Sequence, residues 1–171
     1  MEKKNLLVLF PGRCYTVTCP LLYYAYMKYE RKGYECVAIN YHGSRNIDDV
    51  KNIVKTQIEE IKCSNYGDVI FLSKSMGTVL AGWIDETLCI GARHVYLTPI
   101  KNTLPYLRKE KNITIVIAGT HDDFLDADTL TQHCGKEGIR LELIDNADHS
   151  LEIPDGIGAN IDILKRVVDL Y

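Results

Sequence analysis

Three short segments carry side chains that together could activate a hydroxyl. They are Ser73-Lys74-Ser75-Met76-Gly77, Gly119-Thr120-His121-Asp122-Asp123 and Ala147-Asp148-His149-Ser150. A serine hydroxyl is a poor nucleophile until a base takes its proton, and a histidine is the side chain suited to that at neutral pH. A carboxylate behind the imidazole fixes its tautomer and stabilises the imidazolium form. On that chemistry Ser75 is the candidate nucleophile, His149 the base and Asp122 the orienting group. Plainer readings stand beside these. Asp123 competes with Asp122, and Asp126 more distantly, while any of them suits a helix cap. Asp148 suits a loop amide. His121 fits a pocket wall or an exposed loop, His133 a surface group opposing a helix dipole, and His94 a structural role.

Around Ser75 the spacing is that of a nucleophile elbow, x-x-Ser-x-Gly between a strand and a helix. The sharp turn needs small flanking residues. Gly77 supplies one, and Ser73 stands where glycine is usual. The turn also sets Ser75 at a helix N-terminus, where free amides favour developing negative charge.

These segments must be positioned by regular elements, and hydrophobic patterning supplies them. Apolar runs at Leu6–Phe10, Glu35–Asn40, Val69–Ser73, Val95–Thr98, Ile113–Ala118 and Arg140–Ile144 read as strands, several covered on both faces. Helical periodicity lies between them. One helix starts at Pro20, buries Leu21, Leu22, Ala25 and Tyr29, and stops at Gly33. Asn46 caps the next, with Asp48 and Asp49 in its first turn and a stripe of Val50, Ile53, Val54, Ile58 and Ile61. Ser75–Leu88 is apolar nearly all round and suits a central helix. A short helix over Asp126–His133 closes at Gly135, and the last one buries Ile161, Leu164, Val168 and Tyr171. Such alternation predicts an α/β fold: a single domain over 1–171, with a sheet of about six mainly parallel strands and helices on both faces. The three chemical segments then all fall at carboxyl ends of strands, where ligand sites in such sheets gather.

Composition excludes several alternatives. The chain has 171 residues, 20 Lys+Arg against 23 Asp+Glu, and no basic stripe, which argues against nucleic acid as partner. Its longest apolar run, Leu6–Phe10, falls far short of the ~20 residues of a membrane helix. Lys3-Lys4 before that run imitates a signal peptide, but Pro11-Gly12 ends it without a small-residue cleavage site. A cytoplasmic location is expected. The six cysteines show no CxxC or zinc spacing, so no metal is expected. Cys36 and Cys89 read as space-filling thiols. Phe10-Pro11-Gly12-Arg13-Cys14-Tyr15-Thr16 lacks both glycine-rich nucleotide signatures, so no nucleotide cofactor is expected either.

The order Ser75, Asp122, His149, each beyond a different strand, resembles the α/β-hydrolase superfamily, and the likeness covers the whole chain. Pro11-Gly12, Tyr41-His42-Gly43-Ser44, Gly119-Thr120-His121-Asp122 and Ala147-Asp148-His149-Ser150 carry it, with Pro11 replacing a histidine and Ser73 a glycine. The resemblance implies a reduced core without the first two strands and with a minimal cap, only Ile100–Lys111 lying where a lid inserts. It also implies an oxyanion hole from the backbone amides of Met76 and Arg13, with Cys14 the alternative to Arg13. Cys14, Tyr15 and Lys74 are candidate substrate-lining residues. Arg13, Lys74 and Arg45 at the mouth would draw an anionic substrate, and His42 fits a turn. Of the aromatic cluster Tyr15, Tyr23, Tyr24 and Tyr26, only Tyr15 lies near the oxyanion loop. The expected activity is cofactor-free hydrolysis of a small-molecule carboxylic ester or thioester through an acyl-enzyme, in a shallow pocket favouring small acyl groups. An inactive hydrolase-like binding module and an amide or peptide hydrolase are the alternatives.

Overall fold

The computed structural model describes residues 3–41, 46–154 and 156–171. His42 and Arg45, together with Gly43 and Ser44, lie outside the described residues. Six strands form one sheet: β1 (Leu6–Phe10), β2 (Glu35–Ala38), β3 (Val69–Lys74), β4 (Arg93–Leu97), β5 (Ile113–Gly119) and β6 (Leu141–Ile144). Their order is β2-β1-β3-β4-β5-β6, and every pairing is parallel.

That order has a physical consequence. After β1 the chain moves to one side, and from β3 onward it moves to the other. The chain therefore leaves β1 and β3 in opposite directions, the switch point at whose carboxyl side ligand sites gather in such sheets. The loop after β1 and the turn after β3 face each other there.

Alternate side chains sort the helices. Leu7, Leu9, Ile70, Leu72, Val95, Leu97, Ile115 and Ile117 pack with α1 (Pro20–Arg31) and α5 (Ile157–Leu170). Leu6, Val8, Phe10 and Phe71 pack on the other face with α2 (Ile47–Ile61) and α3 (Met76–Leu88). Tyr96, Val116 and Ala118 meet α4 (Ala127–Glu137) there. Both faces being covered explains the near-continuous apolar strands.

The helix starts obey local chemistry. Pro20 opens α1, whose buried face is Leu21, Leu22, Ala25 and Tyr29. The Asn46 side chain accepts from the Asp48 amide at the start of α2, and Asp126 accepts from the Thr129 amide at α4.

Some expectations need correction. Ile53 and Ile61 lie outside the fully buried stripe of α2. Helix α4 runs through Gly135 to Glu137 and ends at Gly138, whose φ of +66° suits a left-handed cap. On α5 the buried residue is Val167, and Ile161 is exposed. Cys89 fills no core space: it is the exposed, left-handed cap of α3. Lys101–Tyr106 forms a short 3-10 helix against α3, where Tyr106 lies over Gly82. His94 is a buried β4 residue beside Asp85, in keeping with a structural role. His133 is half-buried and bonds the Leu107 carbonyl at 2.7 Å, a tether rather than a surface charge.

Candidate active site

Ser75 takes φ 54° and ψ −123°, a region costly for a residue with a Cβ. The surrounding backbone imposes it. The Ser75 amide donates to the Leu97 carbonyl, and α3 begins at the next residue. Close approach explains the small neighbours. A Cβ on Gly77 would sit 2.2 Å from the Phe10 carbonyl oxygen, and one on Gly12 would sit 3.2 Å from the Ser75 Cβ. Ser73 replaces the usual glycine without displacing the turn, its buried hydroxyl donating to the Val95 carbonyl at 3.3 Å.

His149 and Asp122 converge on Ser75 from the loops after β6 and β5. The Ser75 hydroxyl lies 2.8 Å from His149 Nε2, and His149 Nδ1 lies 2.7 Å from Asp122 Oδ2. A carboxylate only accepts, so the proton belongs on Nδ1, and Nε2 is left to accept from the serine. The Asp122 side chain is fully buried, and its other oxygen accepts from the Phe124 amide at 2.9 Å. Of the two adjacent aspartates, Asp122 meets the histidine while Asp123 is exposed. Asp126 caps α4. Asp148 accepts from the amides of Ser150 and Glu152.

Glycine again permits the crossing of the two loops. A Cβ on Gly119 would lie 2.1 Å from the Ala147 carbonyl oxygen. The His121 amide donates to that same carbonyl, and the Asn146 amide to the Thr120 hydroxyl. The His121 side chain is exposed. Asn146 and Leu151, on either side of His149, both have positive φ.

A cleft of about 420 Å³ opens over Ser75, lined by Arg13, Cys14, Tyr15, Met76, Ile100 and Phe124 among others. Arg13 and Cys14 are exposed at its edge. Among the described residues the amides of Arg13, Cys14 and Met76 have no hydrogen-bond partner. The loop that holds the first two is braced by the Gly12 amide donating to the Tyr15 carbonyl. Pro11 in turn accepts from the Tyr41 hydroxyl.

Lys74 departs from expectation. It borders the cleft, yet its side chain is buried rather than set at the mouth. Its ammonium donates to Thr98 Oγ1 at 2.5 Å and to the His149 carbonyl at 2.6 Å, and it lies 4.9 Å from the Tyr15 ring centre. Burial pulls its pKa down to about 8, against the upward pull of Asp122, Asp148, Cys19 and Glu152. Tyr15 is itself half-buried, and its hydroxyl accepts from the Leu21 amide at the start of α1. Burial pushes that hydroxyl up to about 12.

Phe124, Ile100 and Thr98 were not legible as site residues. The Phe124 ring packs 4.3 Å from that of His149 while staying largely exposed. Its place two residues after Asp122 was the available signal. A second concavity of about 530 Å³ lies at the amino ends of β3 and β4, around the Asp68–Arg93 ion pair. It brings no serine or cysteine against a histidine. Among the described residues no three His, Cys, Asp or Glu side chains cluster to hold a metal ion. No helix among them is long and apolar enough to cross a membrane.

No protein-family model matches the sequence, and no curated protein sequence matches it significantly. Solved structures do match. An α/β serine hydrolase without a lid from Xanthomonas campestris superposes with a TM-score of 0.73 at 12% identity, covering 99% of this chain and 82% of that one. Est1E from Butyrivibrio proteoclasticus gives 0.73 at 10% identity over 99% and 87% of the two chains. An α/β serine hydrolase homologue from Coxiella burnetii gives 0.72 at 12% over 99% and 86%. The chain has the α/β-hydrolase fold. Identities this low carry the architecture alone, so the chemistry of this α/β-hydrolase-fold protein rests on its own residues.

Proposed function

We propose that the protein is a serine hydrolase that cleaves a small-molecule carboxylic ester or thioester through an acyl-enzyme on Ser75. One observation carries this reading: the unbroken hydrogen-bonded line from Ser75 through His149 to buried Asp122, with Ser75 held in the strained backbone of an elbow. Two bonds of 2.7–2.8 Å between three loops distant in sequence are what proton transfer requires.

The steps follow from the geometry. As Ser75 Oγ attacks the carbonyl carbon, His149 Nε2 takes its proton and Asp122 stabilises the imidazolium. The carbonyl oxygen becomes an oxyanion, met by the amides of Met76 at the start of α3 and of Arg13 or Cys14 in the facing loop, each worth a few kcal/mol. The imidazolium then protonates the departing alcohol or thiol. Water, deprotonated by the same nitrogen, releases the acid and restores Ser75.

The cleft bears on substrate class. Its walls are mainly apolar and it is open, with Ile100 and Phe124 among the side chains that line it. Short acyl groups fit this shape better than long chains. Arg13 is the one cation of the predicted mouth that stays exposed among the described residues. The missing first glycine and the reduced core are what favour an inactive binding module; of these, the Ser73 hydroxyl is accommodated without loss of the elbow.

The test is reaction with an alkyl fluorophosphonate followed by intact-protein mass. A single adduct on the folded protein, absent from Ser75→Ala, is expected, and 4-nitrophenyl esters from acetate to decanoate should show highest kcat/KM at the short end. A folded protein that takes no adduct, or one hydrolysing decanoate far faster than acetate, contradicts the reading.

A further inference from the structure

A buried cation beside the nucleophile has no part in the steps above. Lys74 directly precedes Ser75, and its side chain follows Ile70 and Leu72 onto the α1–α5 face of the sheet. Lysine is rarely buried without a partner, because its ammonium must replace the water it loses. Here the replacements come from three separate loops: the Tyr15 ring after β1, the Thr98 hydroxyl after β4, and the main-chain carbonyl of His149 after β6. Among the described residues Lys74 is the sole donor to that carbonyl. The loop it grips is one that needs gripping, since Asn146 and Leu151 both hold left-handed backbone conformations.

We propose that Lys74 is a positioning residue for the histidine: by donating from its buried ammonium to the His149 carbonyl, with Thr98 as second anchor, it fixes where the imidazole stands over Ser75, and it does so through its charge. The proposal rests on the serine-hydrolase reading for its effect on rate, but the tie itself is a property of the loop. An ammonium–carbonyl bond is charge-assisted and roughly twice as strong as its neutral counterpart. The sign follows from burial. Lys74 loses its proton near pH 8, so the tie is at full strength below that pH and weakens above it. The other titratable groups facing the ammonium are Tyr15 and Cys19 from the α1 side, Asp122 from the β5 loop, and Asp148, His149 and Glu152 from the β6 loop. Cys19 is the one to exclude by substitution, being a thiol.

The experiment compares wild type, Lys74→Met, Lys74→Arg, Thr98→Val and Cys19→Ala as full-length chains. Two quantities are measured: the second-order rate of fluorophosphonate labelling of Ser75 from pH 6 to 10, and amide hydrogen exchange over residues 146–152. Wild-type labelling should fall above about pH 8. Lys74→Met should label about tenfold or more slowly, since small displacements of a base are costly, should lack that fall, and should exchange faster over the loop. Lys74→Arg, which keeps its charge, should hold its rate at pH 9, and Cys19→Ala should keep the wild-type profile. Wild-type rate and exchange in Lys74→Met, or an alkaline fall that survives in it, overturns the proposal. Thr98→Val covers the case in which Lys74→Met does not fold. Removing one acceptor of the charged form should move the alkaline fall to lower pH, and an unmoved fall overturns the proposal. If wild type takes no label, the hydrolase reading fails on its own. Exchange then decides the tie: faster in Lys74→Met supports it, unchanged refutes it.

Discussion

Asp122 and Asp123 are adjacent in sequence and identical in chemistry, yet their surroundings differ completely. The Asp122 carboxylate is sealed from water with His149 on one oxygen and the Phe124 amide on the other, while Asp123 is exposed. A buried carboxylate that accepts Nδ1–H keeps the histidine in the tautomer whose Nε2 can take a proton. Asp122→Asn presents an amide that can donate to Nδ1 and so reverse the tautomer. A loss of about 10³–10⁴-fold in kcat is expected with the fold intact, whereas Asp123→Asn should stay within about twofold of wild type. Steady-state ester hydrolysis on both variants, with circular dichroism as the folding control, makes the comparison.

Elements rather than single residues bring the loops this close, and glycine marks where they touch. The first turn of α3 runs so near the end of β1 that a Cβ on Gly77 would meet two successive carbonyl oxygens, at 2.2 and 2.6 Å. Backbone on both sides leaves no flexible atom to yield. Gly77→Ala must therefore push α3 off the sheet or open the β1 loop, moving Met76 and Arg13 apart. The expected result is a loss of several kcal/mol in urea unfolding and near-complete loss of fluorophosphonate labelling. Gly135→Ala, on α4 with open space about its Cα, is the contrasting control and should be neutral or slightly stabilising. The same contrast explains what was legible in advance. Local signals placed β1 and the start of α1 on their observed residues, because apolar runs and Pro20 act within a few positions. Gly135 misled because glycine usually stops a helix, and here the stop is Gly138, three residues on, where φ is positive. That Ser75 would sit at an elbow and Asp122 and His149 just past strand ends was legible because these are local patterns. The burial of Lys74 was not, since its three partners come from Tyr15, Thr98 and His149, and no window of sequence contains them. Phe124 was hidden for the same reason.

Across the whole molecule, α3 links the candidate site at the carboxyl ends of the strands to their amino ends. It starts beside Ser75 at the carboxyl ends of the strands and carries Asp85 toward the amino end of β4. There Asp85 accepts from the Ala92 amide at 3.0 Å and from His94 Nε2 at 3.2 Å, in a setting sealed by the Tyr96 ring stacked on His94. Burial pushes the Asp85 carboxyl up, but the His94 bond and the Ala92 amide together outweigh it and hold it below the ordinary carboxylate range. The native state therefore binds fewer protons than the unfolded chain through that range. This stabilisation is fully present above the unfolded value near 3.9 and is lost as pH falls through the lower native value. Asp85→Asn removes the charge while keeping the shape. At neutral pH it should cost about 2 kcal/mol in urea unfolding, and the further loss between pH 6 and 3 should be smaller than in wild type. Because the anchor acts on the far end of α3, kcat/KM at pH 7 and 25 °C should remain within about twofold of wild type. A variant that lost activity in step with stability would mean that the elbow is held from the distant end of its helix rather than by the contacts at Gly12, Gly77 and Leu97 that surround Ser75.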